Sequence, residues 1–133
     1  MPNQPHPSGG ARGTVEMGAE YVDGLCDLDG FSHIILLCHF HQSRDHSLKV
    51  LPSLDSELRG LFATRSPNRP NPIGLSVVRL EKIVAHKLFI MDIDILDETP
   101  VLDIKPYIGE FSQIAGARFG WLQRAREERE SAK

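Results

Sequence analysis

The chain has little of what marks several common protein classes. It carries only two cysteines in 133 residues. Both, Cys26 and Cys38, sit in apolar surroundings and fit reduced thiols in a cytoplasmic protein better than a disulfide framework. No apolar run approaches the ~20 residues needed to cross a bilayer, so no membrane partner is expected. The start, Met1 to Gly13, is rich in proline and glycine without an apolar segment, so no signal peptide is expected either. No G-x-G-x-x-G follows a candidate strand, which leaves a Rossmann dinucleotide fold without its signature. The formal charge is only −3. That argues against indiscriminate nucleic-acid binding by the whole surface and leaves room for a local basic patch. There is no internal repeat.

What is present is an ordinary globular composition, 41% of it from the AVILMFWYC set. The length is that of a single domain able to bury a core without staples. The stretch from Phe62 to Ser76 stands out, because it places three prolines, two arginines and two asparagines between the apolar runs Gly60–Ala63 and Leu75–Ile83. Pro67, Pro70 and Pro72 fix their own φ and push Ser66, Arg69 and Asn71 toward extended backbone. The segment therefore reads as a stiff polar loop between strands, one that loses little entropy when a ligand binds. Arg65 and Arg69 offer planar forks for carboxylate or phosphate, and Asn68 and Asn71 both donate and accept. The same residues would also suit an ordinary solvated loop.

In chain order, residues 1–12 form a proline- and glycine-rich tail, and Gly13–Met17 is a short strand. Glu20–Leu28 holds a helical turn closed by Asp29-Gly30. Ser32–His41 is a buried strand whose alternation puts Ile34, Leu36, Cys38 and Phe40 on one face and His33, Ile35, Leu37, His39 and His41 on the other. A short strand over Leu48–Leu51 follows. Leu75–Ile83 and Lys87–Ile95 form a hairpin across Val84-Ala85-His86, and a second proline-marked segment runs from Leu96 to Tyr107. Many short strands with little helix before the C-terminus predict a mainly β chain, a small β-barrel domain over 13–112. Residues 113–133 form a C-terminal helix with a frayed charged end, Trp121, Leu122 and Ala125 lying on its apolar face.

Two segments carry a resemblance. Ala63-Thr64-Arg65-Ser66-Pro67-Asn68-Arg69-Pro70-Asn71-Pro72-Ile73-Gly74-Leu75-Ser76, followed by Asp97-Glu98-Thr99-Pro100-Val101-Leu102-Asp103-Ile104-Lys105-Pro106-Tyr107, resembles the TsaA-like, or TrmO, family of tRNA methyltransferases. Gln4-Pro5, Gly30-Phe31-Ser32-His33 and Phe40-His41-Gln42 match as well, in the family's order. The resemblance implies a small β-barrel, usually dimeric, that binds S-adenosylmethionine without a Rossmann fold. It implies methyl transfer to the exocyclic amine (N6) of threonylcarbamoyl-adenosine beside the anticodon of tRNA. Family residues that contact the methyl donor correspond to Pro5, His6 and Pro7, to His41 and Gln42, to Arg65 and Leu75, and to Met91, Asp92, Ile93 and Asp94. Three departures stand out. Family members usually begin with a strand ahead of the Gln-Pro segment, Glu98 takes the place of a glycine, and the sequence lacks the large C-terminal domain of bacterial members.

For such a reaction Arg65 would take the donor carboxylate, Leu75 and Met91 would form an apolar slot, and Asp92 or Asp94 would accept from its ammonium and ribose. The acceptor amine is a weak nucleophile that needs an orienting hydrogen bond more than a strong base. Asp103, flanked by Lys105 and Tyr107, is the candidate orienter, with Asn71 the remaining catalytic candidate. An ion pair of Asp103 with Lys105 is its purely structural alternative. Arg69 and Lys105 are candidate contacts to RNA, whereas Arg118, Arg124 and Arg126 also suit a solvated helix face among Glu127, Glu128 and Glu130. Two other readings compete. One is a non-catalytic S-adenosylmethionine-binding module; the other is a cupin-like metal barrel built on His39 and His41, although the glycine and glutamate spacing of a cupin is missing and no metal is expected.

Overall fold

A computed structural model describes residues 11–41, 45–53, 55–91 and 99–131. Among them the strands are β1 (Arg12–Glu16), β2 (His33–His39), β3 (Lys49–Val50), β4 (Arg59–Gly60), β5 (Ile73–Val84), β6 (Lys87–Met91) and β7 (Val101–Pro106). The α-helices are α1 (Gly109–Ser112) and α2 (Gly120–Ser131), and 3-10 segments cover Ala19–Leu25, Leu28–Gly30 and Leu61–Ala63. The chain's contacts gather into two compact units. The first holds the described residues up to His41 and those within Ile73–Gly109; the second holds those from Asp45 to Pro72 and from Glu110 onward.

The first unit is a five-stranded antiparallel sheet in the order β1-β6-β5-β2-β7. Its inner face follows from the period-two pattern of each strand. Ile34, Leu36 and Cys38 of β2, Val78 and Leu80 of β5, Leu88 and Ile90 of β6 and Val15 of β1 are buried together with Leu25 of the first 3-10 segment. Each fully buried aliphatic side chain contributes about 1.5–3 kcal/mol relative to exposure, so this face holds the unit together. The expected alternation of the Ser32–His41 segment is seen, with Phe40 packed at the margin of the core. The hairpin turn also lies where expected, between Val84 and Lys87, and its first residue, Ala85, has φ 53°. That left-handed backbone costs a side chain with a Cβ roughly 1–2 kcal/mol.

Two bulges shape the sheet. Register slips between Leu80 and Lys82 where β5 meets β6, and between Leu37 and Cys38 where β2 meets β7. The second slip sets Val101 and Ile104 both against the core although their spacing is odd. It thereby turns Asp103 and Lys105 to the outer face, opposite Leu37 and Ile35. Closure into the expected barrel is not found: among the described residues no ladder joins β1 to β7, and the sheet is open. The segment expected to be all loop also differs, since Leu61–Ala63 turns as a 3-10 segment and Ile73 and Gly74 already belong to β5.

The second unit is built on the β3-β4 ladder, extended by the Leu61 N–H donating to the Leu48 carbonyl at 2.8 Å. Leu61 and Ala125 are its buried apolar side chains. Asp55 organises the turn into β4, accepting from the backbone N–H of Ser56 and of Glu57 and from Arg59 Nε at 2.5 Å. The Arg59 hydrogen bond is the main reason the Asp55 carboxyl is held below its ordinary range and the Arg59 guanidinium above its own.

Gly74 faces Cys38 across the β2-β5 ladder, and a Cβ there would run into the Phe40 ring. Both partners belong to the core margin, so Gly74→Val is expected to destabilise the fold by about 1–3 kcal/mol. Chemical denaturation with an unchanged slope measures this, and a midpoint equal to that of the parent chain would show that the ring moves aside freely.

Candidate functional site

Proline and hydroxyl chemistry builds the loop from Thr64 to Pro72 in the second unit. Thr64 closes the 3-10 segment, its N–H and its Oγ1 both donating to the Leu61 carbonyl at 3.0 and 2.8 Å. Arg69 then reaches back across the turn. One of its terminal nitrogens donates to the carbonyls of Thr64 at 2.8 Å and Ser66 at 3.1 Å, and its guanidinium carbon lies 5.6 Å from the centroid of the Phe62 ring. Arg69 is thus a half-buried brace. Arg65, the other guanidinium of the loop, is exposed, as is Asn71.

Arg65 lines a cavity of about 580 Å³ together with Pro52, Ser53, Phe62, Ala63, Thr64, Phe119, Trp121, Leu122 and Arg126. The helix side is fixed by Trp121, whose indole N–H donates to the Ala63 carbonyl at 2.8 Å. Sequence reasoning placed Trp121 and Leu122 on the apolar face of the last helix and Arg126 on a solvated one, and it did not associate them with the loop. The hydrogen-bonded partners are 58 positions apart, and nothing in either segment announces the other.

In the first unit the outer face of the sheet carries several of the expected residues in rows. Leu75, Leu37 and Asp103 are aligned across β5, β2 and β7, and Val77, Ile35 and Lys105 form the next row. Met91 lies on the same face between Arg12 and Arg79. Leu75 and Met91 therefore share a face without sharing a slot, since the four residues from Leu75 to Arg79 span about 13 Å of strand. Ile73, Leu75 and Val77 are 49%, 56% and 43% exposed, an apolar stripe open to solvent.

Asp103 pairs with Lys105, Nζ to Oδ2 at 3.0 Å, and its Oδ1 accepts from the Ile104 N–H at 2.8 Å. The Lys105 hydrogen bond is the larger of the causes that hold this carboxyl below its ordinary range. The Tyr107 N–H donates to the His33 carbonyl, and its ring meets the His33 ring edge-on with centroids 6.4 Å apart. A second cavity, of about 760 Å³, runs beside β7 and is lined by Asp103, Leu102, Ile104, Tyr21, Cys26 and Phe31 among others. Its size suits a nucleoside-sized ligand. Of the expected site residues that the structure describes, only Asp103 reaches it.

His41 is exposed just past β2, and His39 is half-buried on the outer face. Among the described residues no three His, Cys, Asp or Glu side chains gather as a metal cluster, so the cupin-like reading finds no ligand set there. Pro5, His6, Pro7, Gln42, Asp92, Ile93 and Asp94, together with Glu98, lie outside the described residues. No helix among the described residues is long and apolar enough to cross a membrane.

Known proteins share this chain's sequence and fold. A protein of Pyrococcus abyssi named probable S-adenosyl-L-methionine-binding protein is 53% identical over 112 residues, which cover 84% of this chain and 61% of that one. The tRNA (adenine(37)-N6)-methyltransferase of Escherichia coli is 38% identical over 135 residues, covering 94% of this chain and 57% of that one. The crystal structure of TrmO from Pseudomonas aeruginosa superposes with a TM-score of 0.69 at 46% identity, over 84% of this chain and 49% of that one. The chain thus spans about half to three-fifths of the length of these relatives. The family model described as tRNA-methyltransferase O N-terminal domain matches residues 1–113. A match over most of the chain, joined to the fold likeness, establishes that the chain belongs to the tRNA-methyltransferase O N-terminal domain family.

Proposed function

We propose that the chain binds S-adenosylmethionine and methylates N6 of threonylcarbamoyl-adenosine beside the anticodon of tRNA. The printed names of the relatives support the donor and the N6 chemistry. The observation that carries the reading is the division of labour in the proline-braced loop: Arg69 is tied to two backbone carbonyls, which leaves Arg65 exposed on a backbone already fixed.

The chemistry of the corresponding side chains supports donor binding. Arg65 suits the methionyl carboxylate as a two-pronged donor, and Leu75, with Met91 farther along the same face, offers apolar surface to the adenine. Pro5, His6, Pro7, His41, Gln42, Asp92, Ile93 and Asp94 complete the proposed contacts by family correspondence. When bound, S-adenosylmethionine supplies a sulfonium methyl whose C–S bond breaks as the new N–C bond forms, the electron pair passing to sulfur. Asp103 is the proposed orienter of the acceptor amine, accepting its N–H so that the nitrogen lone pair is aimed. Its pairing with Lys105 keeps it a weak base that takes up no proton before the bond forms. Tyr107 and Asn71 are proposed to hold the substrate, and Arg69 and Lys105 to meet the RNA backbone.

The proposed setting is cytoplasmic. The proposed unit of function is a β-barrel domain over 13–112 that acts as a homodimer, since Ile73 and Val77 are exposed apolar side chains on a surface a second copy would cover. A non-catalytic donor-binding module is the second reading, favoured by the Asp103–Lys105 ion pair serving structure alone.

Arg65→Ala is expected to weaken donor binding by about 1.5–3 kcal/mol while the thermal midpoint holds, because it removes one charge-assisted pair. Calorimetric titration measures this, and unchanged affinity removes Arg65 from the site. Asp103→Asn is expected to lower kcat by on the order of 10- to 100-fold with donor affinity intact, as for a mispositioned acceptor. Because the carboxyl is depressed in the folded chain, its charge and its pairing persist above the unfolded value and are lost only as pH falls through the lower folded value. Methyl incorporation into threonylcarbamoylated tRNA should accordingly show no acid limb from Asp103 above about pH 5. Wild-type donor binding without any incorporation favours the inert module. Val77→Glu is expected to yield monomers by sedimentation velocity, and an unchanged sedimentation coefficient would place the dimer contact elsewhere.

A further inference from the structure

The 580 Å³ cavity of the second unit has an unusual lining for a surface hollow. Two of its phenylalanines, Phe62 and Phe119, are 73% and 56% exposed, although burying a ring of that size is worth several kilocalories. Both rings and the indole of Trp121 border one space, with Arg65 and Arg126 on its wall and, among the described residues, no acidic side chain in its lining. The glutamates of α2, Glu127, Glu128 and Glu130, do not line it.

Two of the three aromatic groups, Trp121 and Phe62, are held in advance of any ligand. Trp121 is pinned by its hydrogen bond to the Ala63 carbonyl. The guanidinium of Arg59, 5.9 Å from the centroid of the Trp121 ring, is itself held by Asp55 and Glu57. Phe62 has the braced guanidinium of Arg69 against it. Cations on these rings fix their positions, and fixed rings bind at lower entropic cost. Flat apolar faces beside the Arg126 guanidinium suit a flat aromatic ligand that carries negative charge alongside it. An unstacked nucleobase with its phosphates has that chemistry, whereas an apolar peptide leaves Arg126 unmatched.

We propose that this cavity is a stacking subsite for one unpaired base of a single-stranded RNA segment, with Phe62, Phe119 and Trp121 receiving the base and Arg126 the adjoining phosphate. The proposal deepens the tRNA reading and rests on it for the identity of the polymer. The subsite is separate from the group that receives the methyl, and it supplies grip on the strand from within this chain's own second unit.

Trp121 is the only tryptophan in the chain, so its emission reports on the cavity alone. A short single-stranded oligoadenylate titrated into the full chain is expected to quench Trp121 saturably, with affinity falling as salt rises. Phe62→Ala is expected to weaken that binding by about 5- to 150-fold while calorimetric S-adenosylmethionine binding stays at the parent value. Phe62→Leu, which keeps apolar volume but loses the ring face, is expected to weaken it as well and guards against a folding defect in the alanine variant. Oligoadenylate binding that leaves Trp121 emission unmoved, or that survives both Phe62 variants, overturns the subsite. So does equal quenching by an RNA duplex, or displacement of bound oligoadenylate by S-adenosylmethionine, which would put the donor's own adenine here. Oligoadenylate quenching in a wild-type chain that binds no S-adenosylmethionine defeats the donor assignment instead and leaves the subsite standing.

Discussion

Two carbonyl oxygens, those of Thr64 and Ser66, converge on a single guanidinium, and the second unit's exposed face depends on that convergence. Without Arg69 the carbonyls would turn to water and the loop would lose a restraint that its prolines and the Thr64 hydroxyl do not replace. With it, a polar segment gains the fixed backbone usually supplied by a sheet ladder, at a place where no ladder runs. The same guanidinium lies against Phe62, so loop geometry and ring position are set by one residue. Arginine can do this because its planar fork reaches acceptors while its face lies against a ring, which lysine cannot match.

The first unit solves a different problem. A sheet with one strongly apolar face must keep the other face usable, and the bulge at β7 is the means. By inserting one residue between the positions opposite Leu37 and Cys38, it lets Val101 and Ile104 both turn inward while Asp103 and Lys105 turn outward. A regular strand would have buried one of each pair with the wrong partner. Bulges re-aim side chains in this way beside functional surfaces. The outer face that results is apolar in the middle, along Leu37, Leu75 and Val77, and charged at its flanks, with Asp103 and Lys105 on one side and Arg12 and Arg79 on the other.

Much of this was legible in the residues. The alternation of Ile34, Leu36 and Cys38, the hairpin about Ala85-His86 and the stiffness of the proline loop are local consequences of side-chain period and fixed φ, so they read directly. The Asp103–Lys105 pair was legible too, as two residues on one side of a strand. What escaped depends on long-range geometry. The bulge at β7 has no sequence mark, and Leu75 and Met91, both apolar and both carried over from a family pattern, gave no hint of standing about 13 Å apart along one sheet face. Trp121 meeting Ala63 and Arg69 serving as a brace are tertiary events. The periodicity of the C-terminal helix says only that one face is apolar, not what that face will meet.

The pairing at β7 also constrains the chemistry on offer. A carboxylate meant to abstract a proton near neutrality is normally raised by burial or by a like charge. Asp103 has the reverse environment, exposed and hydrogen-bonded to an ammonium and to a backbone N–H, so its proton affinity falls. Such a group remains an acceptor at every physiological pH and is a poor base at all of them. A conjugated amine whose proton becomes acidic only after alkylation asks for that combination: a lone pair to aim it beforehand, and water or buffer to take the proton once positive charge has developed. A reaction needing prior deprotonation would find no suitable group at Asp103, so the electrostatics of this short strand separate late proton loss from early proton loss before any substrate is considered.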